Sequence, residues 1–189
     1  MKIFITGVAG FLGCHIAKRM IKLGHSVAGN DNMMGGDRDN LTKKIIFHEI
    51  DCNDYNAMKN AIKGYDVLYH CAATAHEGLS VFSPHTITKN IYGATVTTIS
   101  AAITNKVKRF VYCSSMARYG NQKSPFTEDM PPKPVDPYGI AKVAGEETLK
   151  ILAEVHGMEY NIAVPHNIIG PNQKYDDPFR NVLSIFINR

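Results

Sequence analysis

The sequence has few cysteines, and their spacing excludes the common cysteine-based sites. No C-x-x-C pair occurs, because the four cysteines are spread along the chain at Cys14, Cys52, Cys71 and Cys113. No two of the eight histidines are spaced like metal ligands on a common helix. This pattern predicts no metal site. Since no signal peptide is recognisable, we expect reduced, interior thiols in a cytoplasmic protein.

The sequence also lacks long hydrophobic runs and a concentrated basic surface. No apolar run approaches the roughly 20 residues that a membrane span needs. The formal net charge is only +4, and the densest basic run is Lys106-Val107-Lys108-Arg109. We interpret that run as a solvated turn before a strand, and expect neither a membrane nor a nucleic acid as partner. With 44% hydrophobic residues, the 189-residue chain can bury a sizeable core.

Short β-rich runs alternate with helix-length amphipathic stretches. The predicted strands are Lys2–Thr6, Ser26–Asn30, Lys44–His48, Val67–His70, Phe110–Ser114 and Tyr160–Val164. The predicted helices are Phe11–Leu23, Tyr55–Lys63, Pro84–Asn105 and Tyr138–His156. This alternation predicts an α/β fold, a Rossmann-type doubly wound parallel sheet with helices on both faces. Residues Asn32–Thr42 and Arg118–Pro137 break the rhythm and are predicted to be loops at the carboxyl edge of the sheet.

The first predicted strand runs into a glycine-rich turn, MKIFITGVAGFLG. Gly7 can adopt the positive φ of a tight turn, Gly10 lets a pyrophosphate approach the backbone, and Gly13 lets the next helix pack closely. The N–H groups from Gly10 through Phe11 to Leu12, at the positive end of that helix, would hold the pyrophosphate. An ordinary strand-to-helix turn can have the same spacing, so the glycines alone leave both interpretations open.

An acidic residue at the end of the second predicted strand favours dinucleotide binding. Asp31 follows Gly13 by 18 residues, where a carboxylate would accept hydrogen bonds from a ribose hydroxyl. The same carboxylate would repel a 2′-phosphate, which favours NAD over NADP. Arg38 is the only cation of that loop that could compensate. The alternative is that Asp31 is a solvated turn residue.

Tyr138 and Lys142 lie at positions i and i+4, and therefore on one face of a predicted helix. A free tyrosine has a pKa of about 10, and a nearby ammonium stabilises the phenolate that would take a proton from a sugar hydroxyl. Ser115 ends a predicted strand 23 residues before Tyr138, which brings a hydroxyl to the same edge of the sheet. Without that serine, a helix with an exposed tyrosine and lysine would explain the pattern equally well.

Together these residues resemble the extended branch of the short-chain dehydrogenase/reductase family, the sugar-nucleotide epimerases and dehydratases. Further matching stretches are His70-Cys71-Ala72-Ala73, Asn90, Tyr112-Cys113-Ser114-Ser115 with Tyr119-Gly120, and Pro165-His166-Asn167-Ile168-Ile169-Gly170-Pro171. The resemblance covers essentially the whole chain. It implies NAD as the cofactor, a UDP-linked nucleotide sugar as the substrate, and a homodimer.

The resemblance also implies roles for individual residues. Tyr138 would be the acid/base, Lys142 would tune it and bind the nicotinamide ribose, and Ser115 would hold the reacting sugar oxygen. Asn90 would support the lysine and a water, and Asn167 would approach the substrate phosphates. The remaining cofactor-binding residues would be Asn32, Asp51, Cys52, Ala72, Ala73 and Pro165, with Asp51 near the adenine and the alanines beside the nicotinamide.

The two residues after Ser115 favour one reaction of the family. Family dehydratases have an Asp-Glu pair there, which removes the C5 proton and protonates the leaving C6 hydroxyl, whereas this chain has Met116-Ala117. Related decarboxylases have a glutamate at the position of Ala117. Epimerisation at C4 needs neither carboxylate, only hydride removal to NAD, rotation of the keto-sugar and hydride return. The resemblance therefore implies a C4 epimerase.

The predicted domains are an NAD-binding domain over residues 1–171 and the start of a substrate-binding region over 172–189. The second would consist of a polar stretch followed by an amphipathic segment, Pro178–Arg189, and the resemblance implies that most of that region is absent from the chain. Two alternatives stay open for this reason. One is a reductase or dehydratase of the same family, and the other is a non-catalytic NAD-binding module.

The two longest predicted helices are Pro84–Asn105 and Tyr138–His156. Besides the apolar face that would cover the sheet, they carry further apolar residues on another face. This pattern predicts a homodimer through a four-helix arrangement, which the resemblance also implies. The residues in question are Ile87, Ile91, Ile99, Ile103, Leu149 and Leu152.

Overall fold

The computed structural model describes residues 1–173 and Phe186. In this part, six strands form one parallel sheet in the order β3-β2-β1-β4-β5-β6. They are β1 (Lys2–Thr6), β2 (Ser26–Asp31), β3 (Ile46–Glu49), β4 (Val67–His70), β5 (Arg109–Cys113) and β6 (Glu159–Ala163). The strand order reverses between β1 and β4, which makes their carboxyl ends the topological switch point. The predicted doubly wound sheet is confirmed, with strand ends within two residues of the prediction.

Six helices connect these strands: α1 (Phe11–Lys22), α2 (Tyr55–Ala61), α3 (Glu77–Ser80), α4 (Pro84–Thr88), α5 (Ala94–Thr104) and α6 (Pro137–His156). The predicted helix Pro84–Asn105 is thus divided, because a π-helical turn, Lys89–Gly93, joins α4 to α5. The apolar spacing of Ile87, Ile91 and Ile99 continues through that turn, so the pattern cannot show it. Helix α3 was not predicted, since four residues carry no periodic signal. The first predicted loop contains a 3₁₀ turn at Arg38–Asn40, and a second 3₁₀ turn, Met116–Tyr119, overlaps the start of the other predicted loop.

The core lies on both faces of the sheet. Phe4, Leu68 and Phe110 point to one face, where they pack against α2, α5 and α6. Ile3 and Val27 belong to the other face, which α1 covers. No helix within the described residues is long and apolar enough to cross a bilayer. The predicted segment Pro178–Arg189, apart from Phe186, lies outside the described residues, and the proposed domain boundary after Pro171 stays a prediction.

The apolar residues assigned to a dimer surface lie mostly inside the chain, so that assignment is wrong. Four of them are at most 1% exposed, because α4, α5 and α6 pack against the sheet and each other: Ile87, Ile91, Ile99 and Leu149. Ile103 and Leu152 are partly buried against the same core. The exposed apolar residues of α6 are Ile140, Ile151 and Val155. The homodimer itself stays a prediction, with this different face of α6 available for it.

Gly13 offers a test of how tightly α1 packs on the glycine turn. A Cβ at this position would lie 2.1 Å from the carbonyl oxygen of Gly7. Gly13→Ala must therefore push backbone apart, and we expect a loss of about 1–3 kcal/mol in the free energy of unfolding, measured by urea titration. The exposed Arg19→Ala variant of the same helix should change it by less than about 0.5 kcal/mol. Equal effects of the two variants would contradict this packing.

Candidate active site

A cleft of about 1170 Å³ opens at the carboxyl edge of the sheet, around the switch point between β1 and β4. It is lined by every residue that the sequence assigned to the site: Gly7, Gly10, Phe11, Leu12, Gly13, Asp31, Asn32, Asp51, Cys52, Ala72, Ala73, Ser115, Tyr138, Lys142, Pro165 and Asn167. The predicted residues therefore share one cavity, although their individual roles stay predictions.

The glycine turn has the geometry of a phosphate cradle. Gly7 has a φ of +68°, and a Cβ there would lie 2.9 Å from the backbone nitrogen of Ala72. Gly10 precedes α1 in extended conformation, and within the described residues no side chain caps that helix. The first N–H groups of α1 thus face the cleft without a side-chain acceptor, which suits a pyrophosphate. This turn fits NAD, since both the close approach and the uncapped helix serve a dinucleotide.

Asp31 is the last residue of β2 and is 7% exposed, so the interpretation of a solvated turn residue is wrong. Its carboxylate accepts hydrogen bonds from the N–H groups of Ala9 (3.1 Å) and Met33 (2.9 Å). Burial raises the pKa of Asp31, while these backbone hydrogen bonds oppose the shift. The carboxylate thus joins the glycine turn to the following loop. Arg38, the candidate partner of a 2′-phosphate, forms an ion pair with Glu49 instead.

The part of the cleft that was predicted to lie near the adenine is built around a second carboxylate. Asp51 accepts hydrogen bonds from the side chain of Asn32 (2.9 Å) and from both the backbone (2.7 Å) and the side chain (2.8 Å) of Asn53. Burial alone would raise the pKa of Asp51, but these donors hold it below its usual value. Burial raises the pKa of the neighbouring Cys52 thiol to about 11. Cys52 therefore forms part of the wall as a neutral thiol.

Sequence reasoning missed a buried hydrogen-bond relay beneath Ala72 and Ala73, the residues predicted to lie beside the nicotinamide. The Thr6 hydroxyl accepts from the N–H groups of Cys71 and Ala72, both at 3.1 Å, and so donates its own proton to His70 Nδ1 at 2.8 Å. His70 Nε2 then donates to the Thr95 hydroxyl at 3.0 Å. These partners fix the neutral tautomer of the ring. Burial lowers the pKa of His70 to about 3, and the charge of Lys142 adds to that shift.

The relay ends in the π-helical turn. The Thr95 hydroxyl donates to the carbonyl oxygen of Ile91 at 2.7 Å, and in the same turn the Asn90 side chain donates to the Thr74 hydroxyl at 3.1 Å. Asn90 was expected to support Lys142. Within the described residues its amide instead contacts the loop after β4 that lines the cleft. The π-helical turn therefore fixes that loop from two points.

Two capping hydrogen bonds fix the backbone at Ser115 and next to Tyr138, whose side chains line the cleft. The Ser115 hydroxyl accepts from the N–H of Ala117 at 3.2 Å, which caps the turn Met116–Tyr119. Asp136 caps α6 by accepting from the N–H of Gly139 at 2.8 Å. Tyr138 thus lies in the first turn of α6 and is 8% exposed. Both hydroxyl-bearing side chains start from fixed backbone.

Lys142 is 3% exposed, so the interpretation of an exposed tyrosine and lysine is wrong. Its Nζ donates to the carbonyl oxygen of Cys113 at 2.8 Å and lies 5.3 Å from the ring centre of Tyr112 and 5.9 Å from that of Tyr138. Burial alone would lower the pKa of Lys142, but the attraction of Tyr112 and Tyr138 raises it above its usual value. Lys142 therefore holds a positive charge beside Tyr138.

The exit from β6 closes the cleft on its other side. The carbonyl oxygen of Pro165 accepts from the N–H of Met116 at 3.3 Å, which joins this segment to the turn after Ser115. Asn167 has a φ of +47°, and its side-chain amide lies 3.2 Å from the ring nitrogen of His166. Both Pro165 and Asn167 line the cleft, as predicted.

Comparison with known proteins relates the whole chain to one family. The sequence model of the NAD dependent epimerase/dehydratase family matches residues 3–189. A putative UDP-glucose 4-epimerase from Methanocaldococcus jannaschii is 33% identical over 193 residues, which cover 99% of this chain and 62% of that protein. A UDP-N-acetyl-alpha-D-glucosaminuronate decarboxylase from Bacillus cytotoxicus is 31% identical over 97% of this chain and 59% of its own length. The relatives therefore include more than one reaction.

Solved structures give the same result. The UDP-glucose 4-epimerase of Thermotoga maritima, determined with UDP-glucose, has a TM-score of 0.96 and 30% identity, and the match covers 100% of this chain and 62% of that one. The UDP-glucose 4-epimerase of Thermus thermophilus, in complex with NAD, has a TM-score of 0.94 and 29% identity over the same shares. The chain spans 41% to 62% of the length of the curated relatives it matches.

The carboxylate of Asp31 yields a test of cofactor choice. We expect the chain to bind NAD more tightly than NADP in calorimetric titration, because an ionised Asp31 repels a 2′-phosphate. Asp31→Asn keeps the size and one acceptor oxygen, and should reduce this preference by roughly tenfold, or about 1.4 kcal/mol. Glu154→Gln, at an exposed position near the far end of α6, should leave the preference unchanged. Equal affinity of the unaltered chain for both dinucleotides would refute the role of Asp31.

Proposed function

Because the chain belongs to the NAD dependent epimerase/dehydratase family, we propose that it carries the NAD-binding and catalytic part of a nucleotide-sugar C4 epimerase. The observation that supports this most directly is the shared cleft of Ser115, Tyr138 and Lys142 beside the glycine turn. The predicted family resemblance and the predicted cofactor, NAD, are confirmed at the level of the family. We assign the NAD-binding domain to residues 1–171 and propose a UDP-linked sugar as substrate.

The proposed mechanism uses three side chains. Tyr138, as a phenolate that the ammonium of Lys142 stabilises, takes the proton of the C4 hydroxyl and becomes a neutral phenol. Ser115 donates a hydrogen bond to the reacting oxygen while that proton moves. When bound along the glycine turn and beside Tyr138 and Lys142, NAD would supply the hydride chemistry at C4. Once the keto-sugar has rotated so that its other face is towards the cofactor, Tyr138 returns the proton to the C4 oxygen. The configuration at C4 is then inverted.

The residues next to Ser115 favour epimerisation over elimination. Ala117 packs with the apolar cluster that contains Tyr138 and Ile91, and its carbonyl oxygen lies 2.8 Å from where a Cβ of Gly139 would be. Neither Met116 nor Ala117 carries a group that can exchange a proton. An elimination or decarboxylation that depends on carboxylates at these positions therefore lacks them here.

A dehydratase is the second candidate, and one observation favours it. Glu77 lines the cleft, and burial together with the neighbouring Asp136 raises the pKa of its carboxyl. A carboxyl whose pKa is raised keeps its proton to higher pH, which suits it to act as the acid for a leaving hydroxyl. Mass spectrometry of the product separates the two reactions, because a dehydratase removes one water and an epimerase leaves the mass unchanged.

A non-catalytic NAD-binding module is the remaining candidate. The incomplete coverage of the relatives favours it, whereas the constellation of Ser115, Tyr138 and Lys142 favours an enzyme. We expect the 189-residue chain alone to bind NAD with little or no epimerase activity. The decisive comparison is between this chain and one that includes whatever coding sequence follows Arg189.

Tyr138→Phe is the main test of the proposed chemistry. The substitution keeps the ring and removes only the hydroxyl, so NAD should stay bound while epimerisation of UDP-hexoses by the extended chain falls ~10²–10⁴-fold. Ser115→Ala should also slow turnover, and Lys142→Met should weaken both turnover and NAD binding. Transient reduced nicotinamide is followed by absorbance.

The matched control is Tyr160→Phe, which removes a hydroxyl from a tyrosine that is 41% exposed on β6. It should retain full activity. Unaltered turnover in Tyr138→Phe would show that the assignment of Tyr138 is wrong. An extended chain that never reduces NAD with any nucleotide sugar would favour the binding module.

The exposed face of α6 is the proposed dimer contact. Light scattering at high micromolar concentration should give twice the chain mass, because Ile140, Ile151 and Val155 can bury apolar surface against a second copy. Ile151→Glu should shift the chain toward the monomer, whereas Arg19→Glu on α1 should not. A monomer mass for the unaltered chain would contradict the dimer.

A further inference from the structure

We propose that Arg118 and Glu146 are positioning residues, a buried ion pair that aligns Ser115, Tyr138 and Lys142 and balances the charge behind them. Their side chains are 9% and 1% exposed, and Arg118 Nη2 lies 3.1 Å from Glu146 Oε2. Neither residue touches the reacting atoms in the proposed mechanism. The inference rests on the proposed function for its kinetic meaning, but its main test needs no sugar substrate.

Glu146 joins the two elements that carry the reacting side chains. It lies on α6 one turn after Lys142, and its second oxygen, Oε1, accepts from the hydroxyl of Ser114. Ser114 directly precedes Ser115, and its N–H donates to β6 at the carbonyl oxygen of Ala163 (2.8 Å). Both carboxylate oxygens are therefore used, and a movement of α6 relative to β5 would break one of these bonds.

Arg118 extends this connection into the loop 120–136. It lies in the same 3₁₀ turn that Ser115 caps, and its Nη1 donates to the Tyr119 hydroxyl at 3.0 Å. That hydroxyl donates to the carbonyl oxygen of Thr127 at 3.0 Å. The guanidinium thus holds the turn after Ser115, helix α6 and the loop at fixed distances from each other.

Close packing leaves little freedom in how α6 meets these elements. A Cβ at Gly145 would lie 2.5 Å from the Tyr112 hydroxyl, which itself donates to the carbonyl oxygen of Lys142 at 3.3 Å. The buried pair therefore acts on a helix that already touches β5 along one side. Because α6 and β5 are in such close contact, a displacement of Glu146 would also move Lys142.

The pair also affects the charge around Lys142. Burial raises the pKa of Tyr112, the charge of Lys142 opposes that shift, and the charge of Glu146 adds to it. The negative charge of Glu146 thus acts on the cluster of Tyr112, Tyr138 and Lys142. The positive charge of Arg118 offsets it. The other ionisable groups that face this cluster are Tyr138 on α6, Cys71 and His70 at the end of β4, and Cys113 at the end of β5.

Glu146→Gln gives a signature that a purely structural role cannot produce. The amide can still accept from Ser114, but Arg118 is left as an unpaired cation, since a guanidinium does not lose its proton in proteins. An added positive charge favours phenolate. We would record the phenolate absorbance of the NAD complex against pH and assign to Tyr138 the part that Tyr138→Phe abolishes. In Glu146→Gln, that part should titrate about half a pH unit lower or more than in the unaltered chain.

The double variant Arg118→Met/Glu146→Gln removes both charges and should fold, because replacing a buried pair as a whole is often neutral for stability. Its titration midpoint should return to that of the unaltered chain. In the extended chain its kcat should still be about tenfold lower with KM nearly unchanged, because the alignment is lost. The control is Glu147→Gln, which breaks an exposed pair with Lys150 on the same helix and should change neither value.

Two results would overturn the inference. One is a Glu146→Gln midpoint equal to that of the unaltered chain, and the other is a double variant with full kcat. If Glu146→Gln does not fold, the kcat of the double variant decides. If the unaltered extended chain converts no nucleotide sugar, the proposed function fails while the phenolate titration still decides the charge balance.

Discussion

The hydroxyl of Thr6 is the contact on which the cleft depends. Strands β1 and β4 pair as far as Thr6 and His70, and the switch point lies where the chain leaves these two strand ends in two separate loops. Thr6 accepts from the N–H groups of Cys71 and Ala72 and donates to His70, so one side chain joins both loops. Gly7 follows directly, and only a residue without a Cβ fits against Ala72 at this distance. The glycine turn and the loop that begins at Cys71 are thus positioned by the same contact.

Two buried polar networks of different kind hold the two halves of the cleft. On the cofactor half, His70 is neutral, since burial lowers its pKa to about 3, and its hydrogen bonds do not change near neutral pH. On the catalytic half, Arg118 and Glu146 are charged, and their effect depends on both charges being present. The neutral relay suits a binding surface that must keep its shape. The ion pair lies behind the side chains through which the proposed reaction moves a proton.

Features that obey local rules could be predicted from the sequence, whereas features that depend on long-range contacts could not. Glycine spacing, strand alternation and the i, i+4 relation of Tyr138 and Lys142 are local, and they led to the correct fold and cleft. The buried contacts of His70 and Glu146 could not be predicted from the sequence, because their partners Thr6 and Ser114 lie 64 and 32 residues away. The dimer residues were misassigned for a related reason. Periodicity shows that a helix has apolar faces, but not which of them the chain itself covers.

The cleft separates the chemistry of the reaction from the choice of substrate. In the proposed mechanism, proton transfer at one sugar hydroxyl needs Tyr138, Lys142 and a hydrogen bond from Ser115, and contacts within residues 1–173 fix all three side chains. Elimination needs a further acid and base, and positions 116 and 117 are apolar. Among the described carboxyls that line the cleft, Glu77 and Asp31 have a raised pKa, and for Glu77 the causes are burial and the neighbouring Asp136. Under the proposed function, elimination would therefore need a bound sugar to bring its C6 hydroxyl to Glu77 and a second group to act as the base, whereas the groups for the first oxidation at C4 would be common to both reactions.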